Sequence, residues 1–523
     1  MNMNFGQIFE GVVDCYGDRE ALVNIERNRR YSFRQLHLLS NRIGNMMHEK
    51  LNLRCGDRYL SILENDNLSL LHIWTSFKGE AISTWTNYRD TFSEHARQVA
   101  LVQPKVVFIE NALLAEYGGM LREQGVTIVC MDSLDNADLG ACDIWTLLEG
   151  VSDKLPMVEH DDREDTVLLR FTGGTTGLGK CAEYTIDNWI HSSDVYGLCV
   201  DELLHQDSRF LHITPISHGS GMQVFSAFLR GVCTVTMNLP DLSAWCRHVA
   251  SERITTSTMV PTLMYRLLEL PDAGHCDLSS IETIFYGAAP IAADKLKSLQ
   301  KRMGNVFVQV YAATESLGTI TYLDRASHDI ESDQEHLKSC GKPSLGMEIM
   351  LIDDEGQPVE RGELGELWVR SRSTIKQYFN NPEATAAEFE NGFWKSGDVA
   401  KMDANGYIYI VDRIKDMIIS GGFNVYATEV EAAISSHPDV IMSAVVGIPH
   451  EEWGEAVHAE VVLREGASTS EHDIIRHVKD AVGGRKSPKT IAIVDELPQS
   501  AVGKVLRRHV RERYWKDSDR KVG

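Results

Sequence analysis

The chain has 523 residues, of which 43% are hydrophobic, 24% charged and 8% aromatic. At ~150 residues per domain this length predicts more than one folded unit, and the composition excludes disordered and fibrous classes. Fifty-two basic against 75 acidic residues leave a net charge of −23, a field that repels nucleic-acid backbones and anionic membrane surfaces.

The N-terminus carries no basic region followed by an apolar core, so the expectation is a cytoplasmic protein with no leader. Ser32 is placed to cap a first amphipathic helix, with Leu36, Leu39, Ile43, Met46 and Met47 recurring at helical spacing behind it. Short β-branched runs then alternate with similar helices: 106–109, 126–129, 166–171, 255–260, 283–286 and 306–310. Such alternation predicts an α/β layered domain. The longest uncharged run lies between Arg209 and Arg230, but it holds Pro215, His212, His218 and several glycines and serines, so no integral membrane segment is expected. Near residue 350 the pattern changes to strands at 349–352, 365–369 and 406–411 separated by turn residues, a β-rich final subdomain. Beyond Asp412 a small α+β unit is predicted, with Thr428 and Ser470 as helix caps and strands at 440–447, 457–463 and 491–494. The predicted division is therefore 1–411 and 412–523. Ten scattered cysteines, none in a Cys-x-x-Cys pair, point to reduced thiols.

The most informative segment runs from Phe171 to Lys180. Gly173, Gly174, Gly177 and Gly179 let the backbone turn and present N–H groups, Thr172, Thr175 and Thr176 add hydroxyls, and Lys180 adds a cation, together a phosphate cradle. Gly174 to Lys180 also fits half of a Walker loop. That reading fails because Cys181 stands where a hydroxyl must meet Mg²⁺, and because Ala182-Glu183-Tyr184 reads as extended chain before Thr185, the first good helix cap.

The segment resembles the signature loop of the adenylate-forming (AMP-binding) superfamily, which includes acyl-CoA synthetases, luciferases and peptide-synthetase adenylation domains. Further stretches resemble that family in order: 215–219, 286–290, 311–315, 362–370, 394–398, 406–413, 420–425 and 498–504. The resemblance implies a large adenylating domain and a mobile C-terminal domain. It also implies that Tyr311 stacks adenine, that Thr314 bonds phosphate, that Glu315 holds Mg²⁺, and that Gly287 and Ala288 border the nucleotide. Asp398 suits the ribose hydroxyls and Arg413 ribose or phosphate. Lys504 resembles the catalytic lysine that stabilises charge when carboxylate attacks the α-phosphorus. His218 takes a gate position between acyl and nucleotide sites, Lys415 the interdomain hinge, and Gly421-Gly422 the passage for pantetheine. Departures from the pattern are Gly173 for Ser, Gly179 for Pro, Cys181 for Gly, Ala312 for Gly and Ser396 for Thr. The implied reaction joins a hydrophobic carboxylic acid to CoA, using ATP and Mg²⁺, with AMP released; the segment 219–225 is expected to help line the acyl pocket. The acceptor, CoA or a carrier-protein thiol, is open, as are the acid and the oligomeric state, for which a homodimer is compatible. A luciferase-like oxygenase and a non-catalytic nucleotide-binding protein are the rivals; an amino-acid adenylation domain is disfavoured because 215–221 has no acidic residue.

Overall fold

A computed structural model describes residues 2–134, 140–172, 179–200, 203–270, 276–328, 335–500 and 503–515. The first helix behind Ser32 spans Phe33–Glu49. It opens with a capping box in which the Gln35 N–H donates to Ser32 Oγ at 3.2 Å and the Ser32 N–H donates to Gln35 Oε1 at 2.9 Å. Leu36, Leu39, Ile43, Met46 and Met47 are all buried, as their spacing predicts.

Two large sheets organise the N-terminal part. In one, the parallel strands Thr166–Phe171, Ile82–Trp85, Arg58–Ile62, Val106–Ile109 and Thr127–Cys130 are neighbours in the order just given; Cys181–Thr185 lies antiparallel beside Thr166–Phe171, with Gln377–Tyr378 beyond it. In the other, Phe307–Ala312, Thr283–Gly287, Thr256–Met259, Arg209–His212 and Cys233–Thr236 run parallel, and Thr319–Leu323 turns back along Phe307–Ala312. Most strand positions are buried on both faces, as in helix-covered parallel sheets; Val106–Ile109 is apolar throughout, whereas Thr256–Met259 and Cys233–Thr236 bury threonine and serine. The main core lies between the sheets and includes Trp85, Leu168, Tyr184 and Trp189 together with Phe225 and Phe228 of the helix Gly219–Leu229. Separate cores fill the outer faces, one around Leu60 and Val107, the other around Leu211 and Leu296. The Arg209–Arg230 run thus becomes a buried strand and a buried helix, and no helix of the described residues is long and apolar enough to cross a membrane.

An antiparallel sheet follows, with Glu348–Ile352, Leu364–Arg370, Phe393–Met402 and Ile408–Arg413. The last of these strands pairs Asp412 with Val399 and Arg413 with Asp398, so the boundary expected between 411 and 412 falls inside it. A short turn, Ile414–Asp416, leads into the final unit. There Val440–His450 and Gly454–Leu463 form a long hairpin flanked by Ile418–Ser420 and Thr490–Ile493, covered by the helices Ala427–Ser435, Glu471–Val482 and Arg507–Trp515. Ser470 caps its helix through the Asp473 N–H. Thr428 does not: the helix starts at Ala427, and the Thr428 N–H donates at 3.1 Å to Asp412 Oδ2. A buried carboxylate from the preceding sheet does the capping that a local hydroxyl was expected to do.

Candidate active site

The phosphate-loop residues Gly173, Gly174, Thr175, Thr176 and Gly177 lie outside the described residues. Both ends of the loop are fixed. The Thr172 N–H donates to the Lys180 carbonyl at 2.8 Å and the Lys180 N–H returns to Thr172 Oγ1 at 3.1 Å, so the loop closes on itself at the end of strand Thr166–Phe171. Gly179 sits at that neck, where a Cβ would approach the Thr172 carbonyl to 2.7 Å. Cys181 opens the next strand with its thiol buried, and the helix begins only at Ile186 behind Thr185, which removes the Walker geometry.

Lys180 does not stand free. Its ammonium pairs with Glu388 and lies 4.5 Å over the Tyr378 ring, and the Tyr378 hydroxyl sits 2.9 Å from Glu315 Oε1 and 2.6 Å from Glu388 Oε2. A phenol has one proton to donate, and Lys180 already compensates Glu388. Glu315, 9% exposed, is left with a neutral partner and no ion pair among the described residues. Burial raises its pKa above the usual carboxylate range, although the hydroxyl of Tyr378 opposes the shift. Tyr378 and Glu388 were not legible as site residues, because no local spacing connects positions 180, 315, 378 and 388. Among the described residues no three His, Cys, Asp or Glu side chains gather into a metal cage.

A second group stands beside the first. The Tyr311 hydroxyl donates to Asp398 Oδ2 at 2.5 Å, and Arg413 Nε lies 3.2 Å from Asp398 Oδ1. The register that pairs Asp398 with Arg413 on adjacent strands sets this contact. The Ser396 hydroxyl accepts the Asp398 N–H at 3.0 Å, so serine in place of threonine keeps the bond that orients the turn. Gly287 ends its strand where a Cβ would meet the Val310 carbonyl at 2.1 Å, and Ala288 follows with φ +68°, a left-handed conformation that costs a non-glycine residue about 1 kcal/mol or more. Thr314 is half-buried and its carbonyl accepts the Tyr184 hydroxyl at 2.6 Å.

The C-terminal unit reaches this group through Lys504. Gly503 rests against the large domain, its carbonyl accepting the Thr262 hydroxyl at 2.9 Å, while the Lys504 N–H donates to Ser500 Oγ at 3.1 Å. Burial and then Arg413 push the Lys504 ammonium down to about 8, with Asp398 opposing. Lys415, in the Ile414–Asp416 turn, lowers its pKa through partial burial and then Arg413, and it feels Lys180 and Asp398 as well. Gly421 and Gly422 are not part of this assembly: they form an exposed hairpin turn with φ +58° and +80°, and the Gly421 N–H bonds the Trp453 carbonyl at 2.9 Å. His218 stands at the N-terminal cap position of the helix Gly219–Leu229; burial and then Arg170 push its imidazole down to about 3, so it is neutral.

Residues 9–379 match the family described as AMP-binding enzyme, and residues 429–504 match the AMP-binding enzyme C-terminal domain. The chain belongs to the AMP-binding family of adenylate-forming enzymes. The medium/long-chain-fatty-acid–CoA ligase FadD8 of Mycobacterium tuberculosis is 37% identical over 376 residues, which is 70% of this chain and 65% of that relative, just under two thirds of its length. A feruloyl-CoA synthase of Amycolatopsis is 36% identical over 67% of this chain and 70% of its own. Among solved structures, ATP-bound MatB from Rhodopseudomonas palustris superposes with a TM-score of 0.87 at 26% identity, covering 99% of both chains.

Proposed function

We propose that the protein is an ATP-dependent acyl-CoA ligase that activates a hydrophobic carboxylic acid as its acyl-adenylate and then transfers the acyl group to CoA, releasing AMP. The observation that carries the reading is the convergence of Lys504, Arg413, Asp398 and Tyr311 on one side of the closed neck formed by Thr172 and Lys180. An ammonium and a guanidinium gathered next to a carboxylate suited to two ribose hydroxyls support the reading, because charge develops on a phosphoryl centre and such cations offset it.

In the first half-reaction the acid's carboxylate attacks the α-phosphorus of ATP, forming the mixed anhydride and expelling pyrophosphate. Lys504 holds a proton on Nζ and opposes the repulsion between the two anions. Lys180 and the loop 172–180 orient the β- and γ-phosphates, and Thr314 offers a hydroxyl to the α-phosphate. Asp398 and Arg413 hold the ribose, Tyr311 packs against adenine, and Gly287 with Ala288 borders the base. Glu315 fits a divalent cation: its carboxylate is desolvated without a cationic partner, and Mg²⁺ characteristically takes one or two protein carboxylates and completes its shell with phosphate oxygens and water. Mg²⁺ there supplies charge neutralisation of the phosphates. His218 separates the acyl and nucleotide spaces. In the second half-reaction the CoA thiol attacks the acyl carbonyl and AMP leaves; Gly421 and Gly422, on the surface in the present arrangement, border the pantetheine arm after the C-terminal unit turns about Lys415.

The test is product analysis with purified protein, ATP, Mg²⁺, CoA and a panel of apolar carboxylic acids. AMP, pyrophosphate and an acyl thioester are expected. ADP with an acyl phosphate would defeat the proposal, and an adenylate that passes only to a carrier-protein thiol would replace CoA as the acceptor.

A further inference from the structure

Arg170 lies on strand Thr166–Phe171, two residues before the phosphate-loop neck, and is only 2% exposed. The strand register puts it beside Trp85, on the face that carries Leu168 toward the core between the two sheets. Its Nε–H donates to the Ser217 carbonyl at 3.1 Å and its guanidinium lies 6.0 Å from the Tyr184 ring centroid, but Nη1 has no hydrogen-bond partner among the described residues. No carboxylate forms an ion pair with it among the described residues. A buried guanidinium left without a counter-charge is strongly destabilising, so something must offset it.

The surroundings point the same way. Trp85 Nε1, Trp189 Nε1 and Ser217 Oγ are buried without hydrogen-bond partners among the described residues, and the two indoles lie 5.8 Å apart. His72 stacks on Trp85 at 4.4 Å and is neutral, its pKa lowered by burial first and by His212 and Arg170 after that. The Ser217 bond, the strand register and the indole contact thus bring four such donors onto contiguous residues next to His218, while the neighbouring helix wall is tight: at Gly221 a Cβ would run into the Ile216 carbonyl. Ordered water satisfies stray N–H and O–H groups, but it does not neutralise a guanidinium. A hydroxyl or carbonyl oxygen fixed on a substrate answers the N–H groups, and a carboxylate also supplies the counter-charge.

We infer that Arg170 is a specificity-determining residue whose free N–H receives an oxygen atom on the acyl portion of the substrate, so that the acid activated here carries a hydroxyl, carbonyl or second carboxylate in addition to the reacting carboxyl group. This rests on the ligase reading above and narrows its substrate class to apolar acids with one oxygen function on the chain or ring. A site built to bond a substrate oxygen rejects the analogue that lacks it, because the donors are then left buried and unpaired.

The experiment compares matched acids in CoA-dependent AMP release by the full chain: octanoate against its ω-hydroxy and ω-carboxy derivatives, and cinnamate against p-coumarate. In the wild type kcat/KM is expected to favour an oxygen-bearing member by about tenfold or more, and Arg170→Met is expected to bring that ratio to within about twofold of unity. Flat ratios in the wild type overturn the inference without any variant having to fold. A loss of equal factor on both members of every pair in a folded Arg170→Met protein also overturns it, since Arg170 would then serve the reacting carboxylate or the core. Retention of part of the preference by Arg170→Lys supports it. Failure of every acid to give AMP defeats the ligase reading itself, whereas AMP release with no preference defeats only the role assigned to Arg170.

Discussion

In the proposed reaction the chemistry turns on Lys504, and the environment of this residue makes its charge conditional on pH. Burial and Arg413 favour the neutral amine and bring the group to about 8. The sign follows directly: below that value Lys504 is charged and competent, and as pH rises through it the ammonium is lost. The profile of kcat/KM for pyrophosphate release, which reports the free enzyme, is expected to fall on the alkaline side with a midpoint of about 8. Lys504→Arg, charged throughout, should lack that limb even if its geometry lowers the overall rate. Lys504→Ala should lose adenylate formation by about 10²-fold or more, while thioester formation from supplied acyl-adenylate persists; equal loss in both steps would make Lys504 structural. The residue types needed for these roles were legible because each sits in a short contiguous motif. Arg170 and the Tyr378–Glu388 pair were not, since their meaning comes from contacts made across 47 residues to Ser217 and 208 residues to Lys180.

Between elements, Asp412 joins three pieces of structure with one carboxylate. It sits 2% exposed at the end of strand Ile408–Arg413, receives the Thr428 N–H at the start of helix Ala427–Ser435, and pairs at 3.0 Å with Arg507 at the start of helix Arg507–Trp515. Arg507 also binds Glu431 and Asp416, and this surplus of carboxylates raises its pKa. Asp412→Ala leaves the Thr428 N–H and part of the Arg507 fork unanswered and should cost about 2 kcal/mol in denaturant unfolding; Asp412→Asn, which keeps an acceptor for Thr428, should cost less. No change in midpoint for Asp412→Ala would show that water replaces the carboxylate without loss. The same junction marks where sequence reading stops. Ser32 and Ser470 were readable as caps because their partners, Gln35 and Asp473, lie three residues on. Thr428 has an equally good local pattern, yet its N–H is claimed by a carboxylate sixteen residues upstream. Strand positions were readable from β-branched runs; sheet order and antiparallel returns were not, because pairing is decided by partners distant along the chain.

For the whole molecule, the C-terminal unit hangs on one short turn, Ile414–Asp416, and presents Lys504 inward while Gly421 and Gly422 face outward. Lys415→Pro fixes φ at the middle of that turn and removes an N–H. Adenylate formation should persist while thioester formation falls by about tenfold or more, with melting temperature little changed. Uniform loss of both steps, or loss of neither, would count against rotation about this turn. Apart from the Asp412 junction next to the turn, contacts that hold the unit in its present place are the Thr262 hydroxyl on the Gly503 carbonyl, Glu269–Arg464, and Lys295 to the Val440 carbonyl. Lys504 faces inward while the glycine turn faces outward, so in the proposed reaction the unit must turn before the second can reach the cleft the first now borders. For that proposed reaction the consequence is an order of events in time: pyrophosphate departs before the thiol arrives, the adenylate is stranded on the enzyme between the two, and a cell short of CoA would hold this protein as a loaded, waiting intermediate.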